Sequence, residues 1–121
     1  IVHSCAPDVP LTVVRDAGAT AVALDLSLLT ELDPLGEAID AGLGLFAGAV
    51  PTTAPATGRA PRSDEVADRV RALWSKLSFS ARQLPEQVVV TPACGLAGAS
   101  PAHVRAALTA CRDAGRRLFE V

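Results

Sequence analysis

The chain has 121 residues, half of them hydrophobic but only 3% aromatic, with a formal charge of −2 and a pI near 5.6. That length suits one domain of modest core packed by Ala, Val and Leu, and such small side chains favour helices lying close on a sheet. The charge balance argues against a nucleic-acid surface, which needs a basic stripe, and no apolar run is long enough to span a membrane.

Ile1 to Cys5 is predicted as the tail of a strand. Residues two apart on a strand face the same way, so His3 and Cys5 can converge on one point. Ile1-Val2-His3 lacks the basic start and long apolar core of a signal peptide. The three cysteines have no disulfide spacing, so a reducing compartment, the cytoplasm, is the expected location. Pro10 opens a short predicted helix, Leu11 to Ala17, that Gly18 ends. Thr20 to Leu26 is the second predicted strand, apolar except for Asp25 and the leading Thr20. A carboxylate there costs free energy unless it is paired or metal-bound; capping a neighbouring loop is the alternative. Asp33-Pro34 then start a helix through Ala41, closed by Gly42.

Gly44 to Val50 is the third predicted strand, whose glycines point to a close approach of another backbone or a ligand. Pro51 to Arg62, rich in Pro, Thr, Ala and Gly, is a long loop at the carboxyl end of that strand, where substrate loops usually lie. Ser63 is the expected cap of a helix running to Leu77, with Asp64 and Glu65 favouring its dipole. Val66, Val70, Leu73, Trp74 and Leu77 form its core-facing stripe. Val88 to Thr91, β-branched throughout, suits a strand buried on both faces, and Pro92 ends its ladder. Cys94 follows, with Gly95 allowing a tight turn. A cysteine there serves as ligand or nucleophile, or as a small buried apolar residue; the position alone does not separate these. Ser100 and Pro101 start a last helix with Val104, Ala107, Leu108, Cys111 and Leu118 on its apolar side. Cys111 is read as packing and His103 as a solvated surface residue.

The order βαβαβαβα with short connections gives four parallel strands, either a small open sheet or half of a (β/α)₈ barrel. His3, Cys5, Asp25 and Cys94 all fall at strand ends on one mouth. One imidazole, two thiols and a carboxylate make a zinc set. Val22, Leu24, Leu45 and Val89 are expected on the inward face of such a barrel.

His3-Ser4-Cys5, Ala21-Val22-Ala23-Leu24-Asp25 and Thr91-Pro92-Ala93-Cys94-Gly95-Leu96 resemble the carboxyl-terminal domain of cobalamin-independent methionine synthase. That family has H-x-C, a strand ending in Glu and a late N-P-D-C-G-L, which bind a catalytic zinc at the mouth of a (β/α)₈ barrel. The resemblance implies that residues 1–121 are a single unit, strands five to eight of such a barrel. It also implies Zn²⁺ held by His3, Cys5, Asp25 and Cys94, and a thiol methyltransferase acting on a small-molecule thiol and a methyl donor. Two departures stand out. Asp25 replaces the family's Glu, and Ala49-Val50-Pro51-Thr52-Thr53 replaces its D-x-H-S-P, whose His is implicated in proton transfer. A non-catalytic zinc-binding barrel and a structural α/β domain without metal are the rival readings. A half-barrel leaves two strand edges open, so the missing half is expected from upstream sequence, another chain or a second copy.

Overall fold

The computed structural model describes residues 1–54 and 59–120, so part of the predicted Pro51–Arg62 loop lies outside the described residues. Four strands, β1 (Val2–Ser4), β2 (Ala21–Asp25), β3 (Gly44–Val50) and β4 (Val88–Pro92), pair in parallel in the order β1-β2-β3-β4. The helices are α1 (Leu11–Asp16), α2 (Asp33–Asp40), α3 (Ser63–Lys76), the one-turn α4 (Leu84–Gln87) and α5 (Pro101–Phe119). Short 3₁₀ turns span Leu26–Leu28 and Ala81–Gln83. The two 3₁₀ turns and α4 go beyond the elements legible in the sequence, because three or four residues carry no period.

Strand order equal to chain order has one consequence. Right-handed crossovers that never reverse direction place every helix on the same face. A doubly wound sheet reverses its order and covers both faces. This is the α/β architecture of half a (β/α)₈ barrel, as expected. Turn chemistry agrees: Gly18 (φ 87°) and Gly42 (φ 104°) end the first two helices in a conformation open to glycine.

Registry sorts the side chains by face. Val22, Leu45 and Val88 share one row, and Leu24, Ala47 and Val90 the next. Both rows pack beneath the helices, with Val22, Leu45 and Ala47 at most 1% exposed. The alternate row, His3, Ala23, Phe46 and Val89, lies on the uncovered face, where Val89 is 50% exposed. Of the four residues expected to face inward, only Val89 does so. Val22, Leu24 and Leu45 point to the helices, because the parity of each strand is set by the row that meets the larger apolar layer.

Two helix starts also differ from expectation. Ser63 is the first residue of α3 and not its cap; its Oγ accepts from Arg117 Nε at 3.2 Å. Asp33 likewise lies inside α2, behind Leu32. Ser100 does cap α5, accepting from the His103 N–H at 3.1 Å. Trp74 is buried as expected, its Nε1 donating to Ser80 O at 2.9 Å.

The face assignment is testable by truncation. Leu45→Ala should cost about 2–5 kcal/mol in urea unfolding, the range for a fully buried leucine. Phe46→Ala, although it removes more atoms, should cost less in the isolated chain because its face is open. A larger loss at Phe46 would contradict the assignment.

Candidate metal centre

The site begins with parity. His3, in register with Ala23, points to the uncovered face, and Cys5 follows two residues later, just past β1. At the far edge Pro92 pairs with Val50 beyond an irregularity at Gly48/Val50, and the Ala93 N–H donates to Val50 O at 2.8 Å. That bond replaces the one Pro92 cannot make and sets the turn that presents Cys94. Gly48 makes room for it: a Cβ there would stand 2.5 Å from Leu24 O and 2.8 Å from Ala93 Cα. The close backbone approach expected of β3's glycines is found at this position.

In a flat sheet β1 and β4, three strand spacings apart, would be separated by about 14 Å. Here the residues at their carboxyl ends meet. His3 Nε2 lies 3.4 Å from Cys94 Sγ, and Cys5 Sγ lies 3.1 Å from it. The three donor atoms are all within 4.8 Å of one another. The sheet therefore curls, and the turns after its outer strands arch over the open side.

The two thiols titrate as a pair. Cys94 is lowered to about 7, first by its hydrogen bond with Cys5, then by that with His3 and by the Gly95 N–H. Cys5 is raised, chiefly by the same bond to Cys94 and then by the negative charge that forms there. Either sulfur can donate, but Cys94 has two further partners that favour its anion. In the neutral pair the Cys94 S–H donates to Cys5 Sγ; when one proton leaves, Cys94 becomes the anion and accepts from the Cys5 S–H.

Donor chemistry and spacing both fit zinc. Two thiols and an imidazole are ligands it prefers, and tetrahedral bonds of about 2.0–2.3 Å put neighbouring donors about 3.3–3.8 Å apart. The observed 3.4 and 3.1 Å need only a small separation of the sulfurs. Asp25 stands outside this group of three. Its Oδ1 accepts from the Ser27 N–H at 2.9 Å and from the Ser27 hydroxyl at 2.6 Å, capping the Leu26–Leu28 turn. Of the four residues expected at the metal, the structure brings together His3, Cys5 and Cys94 and gives Asp25 another partner.

Cys111 and His103 lie away from this group. Cys111 is buried in α5, and burial pushes its thiol up to about 11, in keeping with a packing role. His103 is not a solvated surface residue: it is 7% exposed, and its Nε2 donates to Pro51 O at 2.9 Å. It ties the start of α5 to the loop leaving β3. The spacing of His103, Ala107, Ala110, Cys111, Ala114 and Leu118 marks it as a member of the buried stripe. A cleft of about 790 Å³ opens beside the centre, with Asp25, Gly48, Thr52, Arg69, Lys76 and Cys94 among its walls. Cys94 is thus reachable from solvent.

Residues 1–117 match the family described as cobalamin-independent synthase, catalytic domain, and the chain belongs to that family. No curated protein and no solved structure gives a significant match to the chain. Among the described residues no helix is long and apolar enough to cross a membrane.

The shared proton is open to measurement in the metal-free chain. Alkylation of Cys94 by iodoacetamide should rise with pH through a midpoint near 7, while Cys5 follows only above the ordinary thiol range. His3→Ala removes a partner of the Cys94 anion and should move its midpoint upward. Identical profiles for the two cysteines would contradict the pairing.

Proposed function

We propose that this member of the cobalamin-independent synthase family is the carboxyl-terminal half of a zinc-dependent thiol methyltransferase of the methionine synthase type. One observation carries the reading: in a chain of this family, an imidazole and two thiols from opposite edges of a half-barrel converge at its carboxyl-terminal mouth. His3, Cys5 and Cys94 would hold the metal. Zinc, when bound, supplies Lewis acidity that lowers a thiol's pKa towards neutrality, so that the nucleophilic anion is available for methyl transfer.

The chain's own groups prepare that chemistry. Cys94 already favours its anion near neutral pH, so it is the first ligand ready to bind. His3 is held beside it, and the Gly48–Ala93 contact keeps the Cys94 turn close over β3. Asp25 is proposed as the fourth, outer member of the set. Its charge reaches Cys5 while Oδ1 remains with Ser27. Contacts to a homocysteine-like thiol and to the methyl donor come in this proposal from the other half of the barrel. That half is supplied by upstream sequence, another chain or a second copy, and the assembled enzyme works in the cytoplasm.

One observation favours a second reading, a zinc-binding barrel without catalysis. The segment Ala49 to Thr53 has neither acid nor imidazole, and the one imidazole beside it, His103, is buried and bonded to Pro51 O. A thiol-methylation assay on the completed barrel separates the two. Methylation of a homocysteine-like thiol supports the first reading, and stoichiometric zinc with no methylation supports the second.

Metal content provides the nearer tests. The folded chain should take up about one zinc, and Cys94→Ser should lower its affinity by at least an order of magnitude, because a hydroxyl is a poor replacement for thiolate. Cys111→Ala should leave zinc content unchanged. Asp25→Glu should preserve or tighten binding and Asp25→Ala should loosen it. Equal zinc affinity in all three forms at position 25 would leave its carboxylate as a loop cap only.

A further inference from the structure

The Cys5–Cys94 contact has a second chemistry that needs no metal. The sulfurs lie 3.1 Å apart, and both belong to residues open to solvent, Cys5 exposed and Cys94 half-buried. Each follows the last residues of its strand, and a covalent S–S bond of about 2.05 Å requires the two sulfurs to approach by about one ångström. Cys111, the third cysteine, lies buried on α5 among Ala107, Ala110 and Ala114.

We propose that Cys5 and Cys94 are an oxidisable dithiol that, when metal is absent, closes to an intramolecular disulfide across the mouth of the half-barrel. The oxidant is a small disulfide of the glutathione type. One protein thiol, as its anion, attacks the small disulfide, forming a mixed disulfide and releasing one small thiol. The other protein sulfur then attacks the mixed disulfide, forms the Cys5–Cys94 bond and releases the second small thiol. Two electrons pass from the protein pair to the oxidant, and the two thiol protons end on the two released small thiols. A small dithiol reverses the reaction.

The bond fixes β1 to β4, the same two strand ends a metal would join. It also consumes both sulfur ligands, leaving only His3 of the three close donors. Zinc and disulfide are therefore mutually exclusive states of one pair, and the chain takes up metal only when reduced. The disulfide rests on the sulfur geometry and the exclusion on the metal reading; the experiment separates them.

The metal-free chain, reduced and then incubated with oxidised glutathione, is alkylated and analysed by mass spectrometry and peptide mapping. Free thiols should fall from three to one, with Cys5 linked to Cys94 and Cys111 alkylated. Cys111→Ala should form the same link. Cys5→Ser should stop at a glutathione adduct on Cys94. Prior loading with zinc should slow the reaction at least tenfold, and the oxidised chain should bind no zinc until a dithiol is added. Persistence of three free thiols, stable glutathione adducts on both cysteines, or a link involving Cys111 would overturn the dithiol. A normal disulfide that forms equally fast with zinc present would keep the dithiol and overturn the exclusion, and with it the metal assignment.

Discussion

The structure depends on the meeting of its first and last strands above an open face. A sheet whose order follows the chain has all its helices on one side, so no helix among the described residues covers the other. Curvature then brings the two outer strand ends within reach of each other. His3 and Cys5 arrive from one edge and Cys94 from the other, with separations of 3.4 and 3.1 Å at the sulfur they share. Any group bound there also acts as a clasp between strands that have no ladder between them. In the proposed holoprotein, chemistry and shape thus rest on the same three donors.

The local supports of that meeting are backbone features. Gly48 has no side chain where a methyl group would collide with Leu24 O and Ala93 Cα. Ala93 donates to Val50 past the irregularity, so the chain turns immediately after Pro92. His103 fastens the loop leaving β3 to the helix that follows the Cys94 turn. Beneath these, Val22, Leu24, Leu45 and Ala47 hold the sheet to the helix layer with ordinary apolar burial. The Gly48, Ala93 and His103 contacts act on the Cys94 turn, whereas the apolar row beneath them acts on the stability of the whole sheet.

Much of this was legible in the sequence, for identifiable reasons. The Val88–Val90 run, the alternation of strand-like and helix-like segments and the turn glycines at positions 18 and 42 gave the parallel order. The i, i+2 spacing of His3 and Cys5 put both on one face, and the resemblance of Cys94-Gly95-Leu96 to the family signature placed the third donor. Strand parity was harder to read. Val22, Leu24 and Leu45 looked suited to a barrel interior, yet an apolar strand is apolar on both faces and only registry distinguishes them. The last helix misled in a related way: Val104 and Leu108 drew the stripe towards the larger side chains, but Leu108 is 52% exposed. The buried face is the small one, Ala107, Ala110 and Ala114, because α5 lies close against α3 and β4. His103 was misread with it. Asp25 shows the remaining difficulty, since a carboxylate at a strand end suits a metal and a loop cap equally, and only the Ser27 bonds reveal the second role.

In the proposed holoprotein, one metal ion joins the two edges of this sheet through His3, Cys5 and Cys94. X-ray absorption at the zinc edge of the loaded chain tests it most directly. Two sulfur neighbours at about 2.3 Å and lighter nitrogen or oxygen neighbours at about 2.0–2.2 Å are expected. A shell of light atoms alone, or one of four sulfurs, would contradict it.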